Sequence, residues 1–206
     1  HPLMEPGDEF MAGRQLYGGS VNQFNHAYKK FNWNVAWADA TDPASFEAAV
    51  TDKTRAIFIE SIANPGGVIV DIEAIAAVAK KAGVPLIVDN TMASPYLCQP
   101  FQHGADIVLH SLTKFIGGHG NSIGGIIVDG GKYDWLGSKY RYKTMVEPND
   151  SYNGLVLAET FGDFAFAIAC RVMGLRDTGP AIAPMNAFLV LNGCETLPLR
   201  MARHCE

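Results

Sequence analysis

Lys114 stands between hydroxyl residues and an apolar pair, in Ser111-Leu112-Thr113-Lys114-Phe115-Ile116. A lysine in a dry pocket has its pKa lowered and can form a Schiff base with an aldehyde. A lysine after a strand can equally be an ordinary surface residue. Asp89 ends the apolar run Val84-Pro85-Leu86-Ile87-Val88. A carboxylate at a buried strand end needs a partner. That partner could be the amides of a following turn, or a pyridinium nitrogen, whose protonated ring is the stronger electron sink. Ser111 and Thr113 could cap a turn or donate to a phosphate beside Lys114. Tyr17, in Tyr17-Gly18-Gly19-Ser20, could pack in a core or stack on a flat cofactor ring. Asn64, ahead of Pro65-Gly66-Gly67, could belong to a turn or reach a phenolic oxygen.

These residues share one placement: each follows a short apolar run. The runs fall at 9–12, 35–38, 56–59, 84–88, 107–109 and 125–128. Runs this short and continuous suit strands buried on both faces. Between them lie helix signatures. Asp42-Pro43 reads as an N-cap and first turn, with Phe46, Ala49 and Val50 on one face. Asp71 can cap a helix through Ile72, Ile75, Ala76 and Ala79 that stops at Gly83. Strand–helix alternation predicts a mainly parallel α/β sheet. Such sheets bind ligands beyond the carboxyl ends of their strands. From about residue 150 the pattern turns helical, at 160–173, 181–191 and 196–204, with Gly174, Gly179-Pro180 and Asn192-Gly193 as separators.

The 206 residues suffice for one substantial domain without a disulfide or metal staple. Apolar residues make up 48% and charged residues 18%, which excludes disorder. The net charge of −5 has the wrong sign for a general nucleic-acid or anionic-membrane binder. The four cysteines form no CxxC pair, as expected of free thiols in a reducing, cytoplasmic setting. The apolar stretch 164–170 is too short to span a bilayer and is flanked by Asp163 and Arg171. His103, His110 and His119 lack zinc-ligand spacing, so no metal is expected. There is no GxGxxG, no GxxxxGK[ST] and no GxSxG sequence.

Five stretches, in this order, resemble the Cys/Met-metabolism family of pyridoxal-phosphate enzymes. They are Leu16-Tyr17-Gly18-Gly19-Ser20, Glu60-Ser61-Ile62-Ala63-Asn64-Pro65, Val88-Asp89-Asn90-Thr91, Ser111 through His119, and Gly193-Cys194-Glu195-Thr196-Leu197-Pro198-Leu199-Arg200-Met201-Ala202-Arg203-His204. The resemblance implies the large domain of a fold type I transferase, a mainly parallel mixed sheet flanked by helices. It divides the chain into a cofactor-binding core at 1–150 and a helical continuation at 151–206. It also implies that an N-terminal segment and a small C-terminal domain of the family lie outside these residues. Lys114 would carry pyridoxal 5'-phosphate and shuttle protons. Asp89 would pair with the pyridine nitrogen, and Tyr17 would stack on the ring and assist proton transfer. Asn64 would lie near the phenolic oxygen, and Ser111 and Thr113 would bind the phosphate.

Gly117-Gly118-His119-Gly120-Asn121-Ser122-Ile123-Gly124-Gly125 and Tyr17-Gly18-Gly19-Ser20-Val21-Asn22-Gln23 look like the family's O-acetylhomoserine sulfhydrylase branch. That branch implies γ-replacement in methionine biosynthesis: O-acetyl-L-homoserine plus sulfide or methanethiol gives homocysteine or methionine plus acetate. It also implies a homotetramer built from dimers. A methionine γ-lyase or a cystathionine γ-synthase or lyase on the same scaffold is the enzymatic alternative. A non-catalytic α/β interaction domain is the alternative of a different class.

Overall fold

Six strands form where the apolar runs lie: β1 (Glu9–Gly13), β2 (Asn34–Ala38), β3 (Thr54–Glu60), β4 (Leu86–Asp89), β5 (Ile107–Ser111) and β6 (Gly125–Asp129). The structure is a computed structural model that describes residues 1–140 and 142–206. The strands make one sheet in the order β2-β1-β3-β4-β5-β6. All neighbours run parallel except β5 and β6, which are antiparallel with Ser111 opposite Gly125. The mainly parallel sheet expected from the alternation is therefore present. β3 and β4 hold the centre, with Ile57, Ile59, Leu86 and Val88 fully buried.

Two of the helices begin where a side chain satisfies their free amides. The first helix in the chain is α1 (Gly18–Asn22), which follows β1. α2 (Pro43–Ala49) starts at Asp42, whose carboxylate accepts from Ala44 N at 3.0 Å. α3 (Ile72–Ala82) starts at Asp71, which accepts from Ala74 N at 3.0 Å, and stops at Gly83 in the left-handed region. An isolated helix of this length is marginal in water. Burying Ile72, Ile75, Val78 and Ala79 against the sheet supplies what propensity does not, at about 1.5–3 kcal/mol for each large side chain. α4 (Ser94–Leu97) is a single turn after β4.

After β6 come α5 (Lys143–Val146), α6 (Leu157–Phe161), α7 (Ala165–Ala169), α8 (Arg176–Thr178), α9 (Pro184–Glu195) and α10 (Leu197–Cys205). α7 joins the main core through Ala165, Phe166 and Ala169, and the Phe166 ring stacks on Trp135 with centroids 5.5 Å apart. α9 and α10 pack on a separate apolar cluster of Ile116, Val190, Leu197 and Met201.

Three local expectations need correction. β6 is not buried on both faces: Ile126 and Ile127, which point to opposite faces of this edge strand, are 45% and 50% exposed, so among the described residues neither face is fully covered. Gly174 does not end a helix; α7 runs on through a wider turn, Cys170–Leu175, into α8, and the left-handed stop falls at Gly179. A glycine within a helix is merely costly, whereas a glycine ahead of proline is a proper stop. Asn192-Gly193 does not break the chain either, since α9 continues to Glu195. Gly193 is there for close packing: a Cβ on it would lie 2.2 Å from the carbonyl oxygen of Gly117.

Candidate active site

The parallel order brings the carboxyl ends of β1, β3, β4 and β5 to one edge of the sheet. There the chain forms a cavity of about 200 Å³ lined by Tyr17, Glu60, Ile62, Asn64, Asp89, Thr91, Met92, Ser111 and Lys114. Five of the six residues singled out by type and spacing thus meet around one space. Thr113 is not among the lining residues. Its hydroxyl donates to Gly124 O at 3.3 Å and accepts from Gly124 N at 3.1 Å, tying the lysine loop to the start of β6.

Asp89 is the last residue of β4 and is half-buried. Its Oδ1 accepts from Thr91 N at 2.9 Å and from the Thr91 hydroxyl. The turn-capping reading is therefore correct for one oxygen. No hydrogen bond reaches Oδ2 from the described residues, which leaves it open to a donor in the cavity. Thr91 Oγ1 in turn accepts from Ser111 N at 2.8 Å, so one hydroxyl links the ends of β4 and β5. Behind it Ser61 donates to Asn90 Oδ1 at 2.7 Å, and Asn90 Nδ2 donates to the carbonyls of Ser94 and Cys98. This buried network holds the β3 and β4 ends in register. His110 is buried one residue before Ser111; burial pushes its pKa down, against the pull of the Asp89 charge.

Tyr17 is 52% exposed, so it is not a core tyrosine. Its ring lies across the first turn of α1, where a Cβ on Gly19 would come within 2.4 Å of it. Only glycine leaves that ring its place. Asn64 is exposed at the tip of a turn closed by Ala63 N to Val68 O at 2.8 Å and Gly67 N to Ala63 O at 2.9 Å. Lys114 is exposed as well, as the surface reading of its position has it, and it still lines the cavity. Ser111 lines the same space.

Two residues of the site carry roles that their types alone did not disclose. Glu60 ends β3 and is 4% exposed. Its Oε1 accepts from Tyr17 N at 2.7 Å and its Oε2 from Asn64 N at 3.0 Å. One carboxylate thus holds both the aromatic wall and the amide wall. Burial pushes its pKa up, the two amide hydrogen bonds pull it down, and the Asp89 charge raises it further. The signal was available: an acidic residue closing a buried apolar strand needs partners, as Asp89 does. Thr91, two residues after Asp89, likewise fits the turn that Asp89 caps.

The donors and acceptors around the cavity fit an aldehyde-bearing pyridine ring: an amine, a carboxylate with an open oxygen, an exposed ring, an amide and a free hydroxyl. Fold and site together define an α/β domain with a ligand-sized cavity at the carboxyl ends of its strands. The chain belongs to the Cys/Met metabolism family of PLP-dependent enzymes, whose profile matches residues 1–206. It is 51% identical to the O-acetyl-L-homoserine sulfhydrylase of Leptospira meyeri, over 98% of this chain and 47% of that protein. It is 46% identical to the homocysteine synthase of Schizosaccharomyces pombe, over 99% of this chain and 48% of that one. A crystal structure of an O-acetylhomoserine (thiol)-lyase from Campylobacter jejuni superposes with a TM-score of 0.91 at 37% identity, covering 96% of this chain and 49% of that one. That crystal structure carries N'-pyridoxyl-lysine-5'-monophosphate. The chain spans about half the length of the curated relatives it matches. Among the described residues no helix is long and apolar enough to cross a membrane, and no cluster of metal-ligating side chains occurs.

Proposed function

We propose that the protein catalyses γ-replacement on O-acetyl-L-homoserine, in which acetate leaves Cγ and sulfide or methanethiol takes its place. The products are homocysteine or methionine. The observation that carries this reading is the meeting of Lys114, Asp89, Tyr17 and Asn64 around one cavity in a chain half identical to a sulfhydrylase. Pyridoxal 5'-phosphate, when bound, supplies the electron sink for the charge left as the substrate's Cα–H bond breaks.

The chain's own residues do the rest. Lys114 Nζ would hold the cofactor, and as a free amine it would be the base that takes the Cα proton and later returns one. Asp89 Oδ2 would hold the ring nitrogen of the cofactor and keep its proton in place. Its Oδ1 cannot turn away, because Thr91 holds it twice. Tyr17 would stack on the ring and assist proton transfer. Asn64 would lie near the phenolic oxygen, and Ser111 would bind the phosphate. Thr113 would reach the phosphate only by exchanging its bonds with Gly124. The helices at 151–206 continue the cofactor domain in this reading, with α7 completing the core beside β6. The substrate is an amino acid, and the working unit is a cytoplasmic homo-oligomer.

The test is turnover by the full chain with pyridoxal phosphate, O-acetyl-L-homoserine and sulfide. The reading expects homocysteine and acetate in equal amounts, and neither from Lys114→Ala. Cleavage of methionine without added thiol, or cystathionine as the preferred product, would move the protein to the lyase or synthase reading. Absence of any cofactor-dependent reaction would overturn the assignment.

A further inference from the structure

The stretch from Gly193 to His204 places no residue in the cavity, yet one of its side chains reaches the loop that presents the lysine. Arg200, on α10, donates from Nη1 to Phe115 O at 2.7 Å and from Nη2 to Ile116 O at 3.4 Å. The same Nη2 donates to Gly193 O at 2.7 Å, and Nε donates to Thr196 Oγ1 at 3.1 Å. Phe115 and Ile116 are the two residues that follow Lys114.

Buried carbonyls need partners, and the lysine loop has few amides to offer them. Lys114 N donates to Ser111 O at 3.3 Å, Gly117 N to Leu112 O at 2.9 Å and Gly118 N to Lys114 O at 2.7 Å. The loop's own amides therefore satisfy the carbonyls of 111, 112 and 114. Those of 115 and 116 go to Arg200. The fit is close on both sides. A Cβ on Gly118 would lie 2.4 Å from Arg200 Nη1, and one on Gly193 would lie 2.6 Å from Ile116 O. Ile116 also packs into the apolar cluster of α9 and α10 with Val190, Leu197 and Met201. A planar guanidinium spans these acceptors at once, and an ammonium, a point charge on a flexible stem, does not.

We infer that Arg200 is a positioning residue for Lys114: its fork fixes the backbone just beyond the lysine and so presents the amine to the cavity in one place. The inference rests on the reading that Lys114 carries the cofactor. It gives the Gly193–His204 stretch a task at the site without a contact to any ligand. Misplacement of a reacting group by about 1 Å can cost on the order of a hundredfold in rate. Loss of the fork should therefore slow the lysine's reaction well before it unfolds the protein.

The experiment adds pyridoxal phosphate to the full chain, traps with borohydride over time and over pH, and maps the adduct by mass spectrometry. Arg200→Lys keeps the charge and loses the fork. Arg203→Ala is the control, since Arg203 lies on the same helix, is exposed and pairs with Glu206. The expected result is that R200K traps Lys114 about tenfold or more slowly, with a displaced pH profile and an unchanged circular dichroism spectrum. R203A should match the wild type. Trapping by folded R200K at the wild-type rate and pH profile would overturn the positioning role. No adduct at Lys114 in the wild type would instead overturn the cofactor reading beneath it. If R200K does not fold, Thr196→Val removes just the hydroxyl that steers Nε. It should slow trapping several-fold, and a wild-type rate there would overturn the inference.

Discussion

Replacing Glu60 by glutamine tests whether one buried carboxylate organises the cavity. In the wild type each carboxylate oxygen accepts one backbone amide, from Tyr17 at 2.7 Å and from Asn64 at 3.0 Å. Glutamine keeps the shape but offers one oxygen. Its NH₂ must then face the other amide, donor against donor. An unsatisfied buried donor costs about 1–3 kcal/mol. Glutamine also relieves the cost of burying a charge, and that relief depends on pH. Burial, the largest influence, raises the Glu60 pKa above its ordinary 4.5, the amide bonds oppose the rise and Asp89 adds to it. A carboxyl that is raised on folding contributes stability below 4.5 and loses it as pH climbs through the folded-state value. The wild type therefore loses stability across that window and E60Q does not. The stability gap between them should be about 1–3 kcal/mol at the acidic end and shrink as pH rises. Urea denaturation of both proteins at a series of pH values reads the gap directly. A gap that widens with pH would mean that the amide hydrogen bonds outweigh burial, and the reasoning would be wrong.

Two other substitutions probe the supports of the site. Thr91→Val keeps the shape but removes the hydroxyl that donates to Asp89 Oδ1 and accepts from Ser111 N at 2.8 Å. Its expected cost is about 1–3 kcal/mol of stability, together with weaker binding of pyridoxal phosphate in an absorbance titration; wild-type values in both measurements would contradict the role given to Thr91. Gly193→Ala should lower the melting temperature through about 1–3 kcal/mol of overpacking, because its Cβ would lie 2.2 Å from Gly117 O. An unchanged melting temperature would show that α9 can move away from the lysine loop at no cost.

Much of the fold was legible because its signals are local. Six apolar runs became six strands, and Asp42, Asp71 and Gly83 mark helix ends through bonds within their own turns. The site was legible for a topological reason: a parallel sheet gathers the residues that follow its strands, whichever segment they come from. Tertiary contacts were not legible in this way. Gly193 looks like a break until the carbonyls of Ile116 and Gly117 are seen against it. The exposure of β6 depends on which elements pack over its faces, which an apolar run does not reveal. Thr113 looks like a cavity residue by its position beside Lys114, yet its hydroxyl is engaged by Gly124, eleven residues on. Arg200 lies 85 residues from the Phe115 carbonyl it holds, and nothing in its local pattern points there.

The central claim is that Lys114 and Asp89 face one cofactor ring. Borohydride reduction of the full chain mixed with pyridoxal phosphate, followed by peptide mapping, tests it most directly. The account predicts a single pyridoxyl adduct on Lys114, absent from Lys114→Ala and sharply reduced in Asp89→Ala. An adduct spread over other lysines, or full labelling of Lys114 without the Asp89 carboxylate, would contradict it.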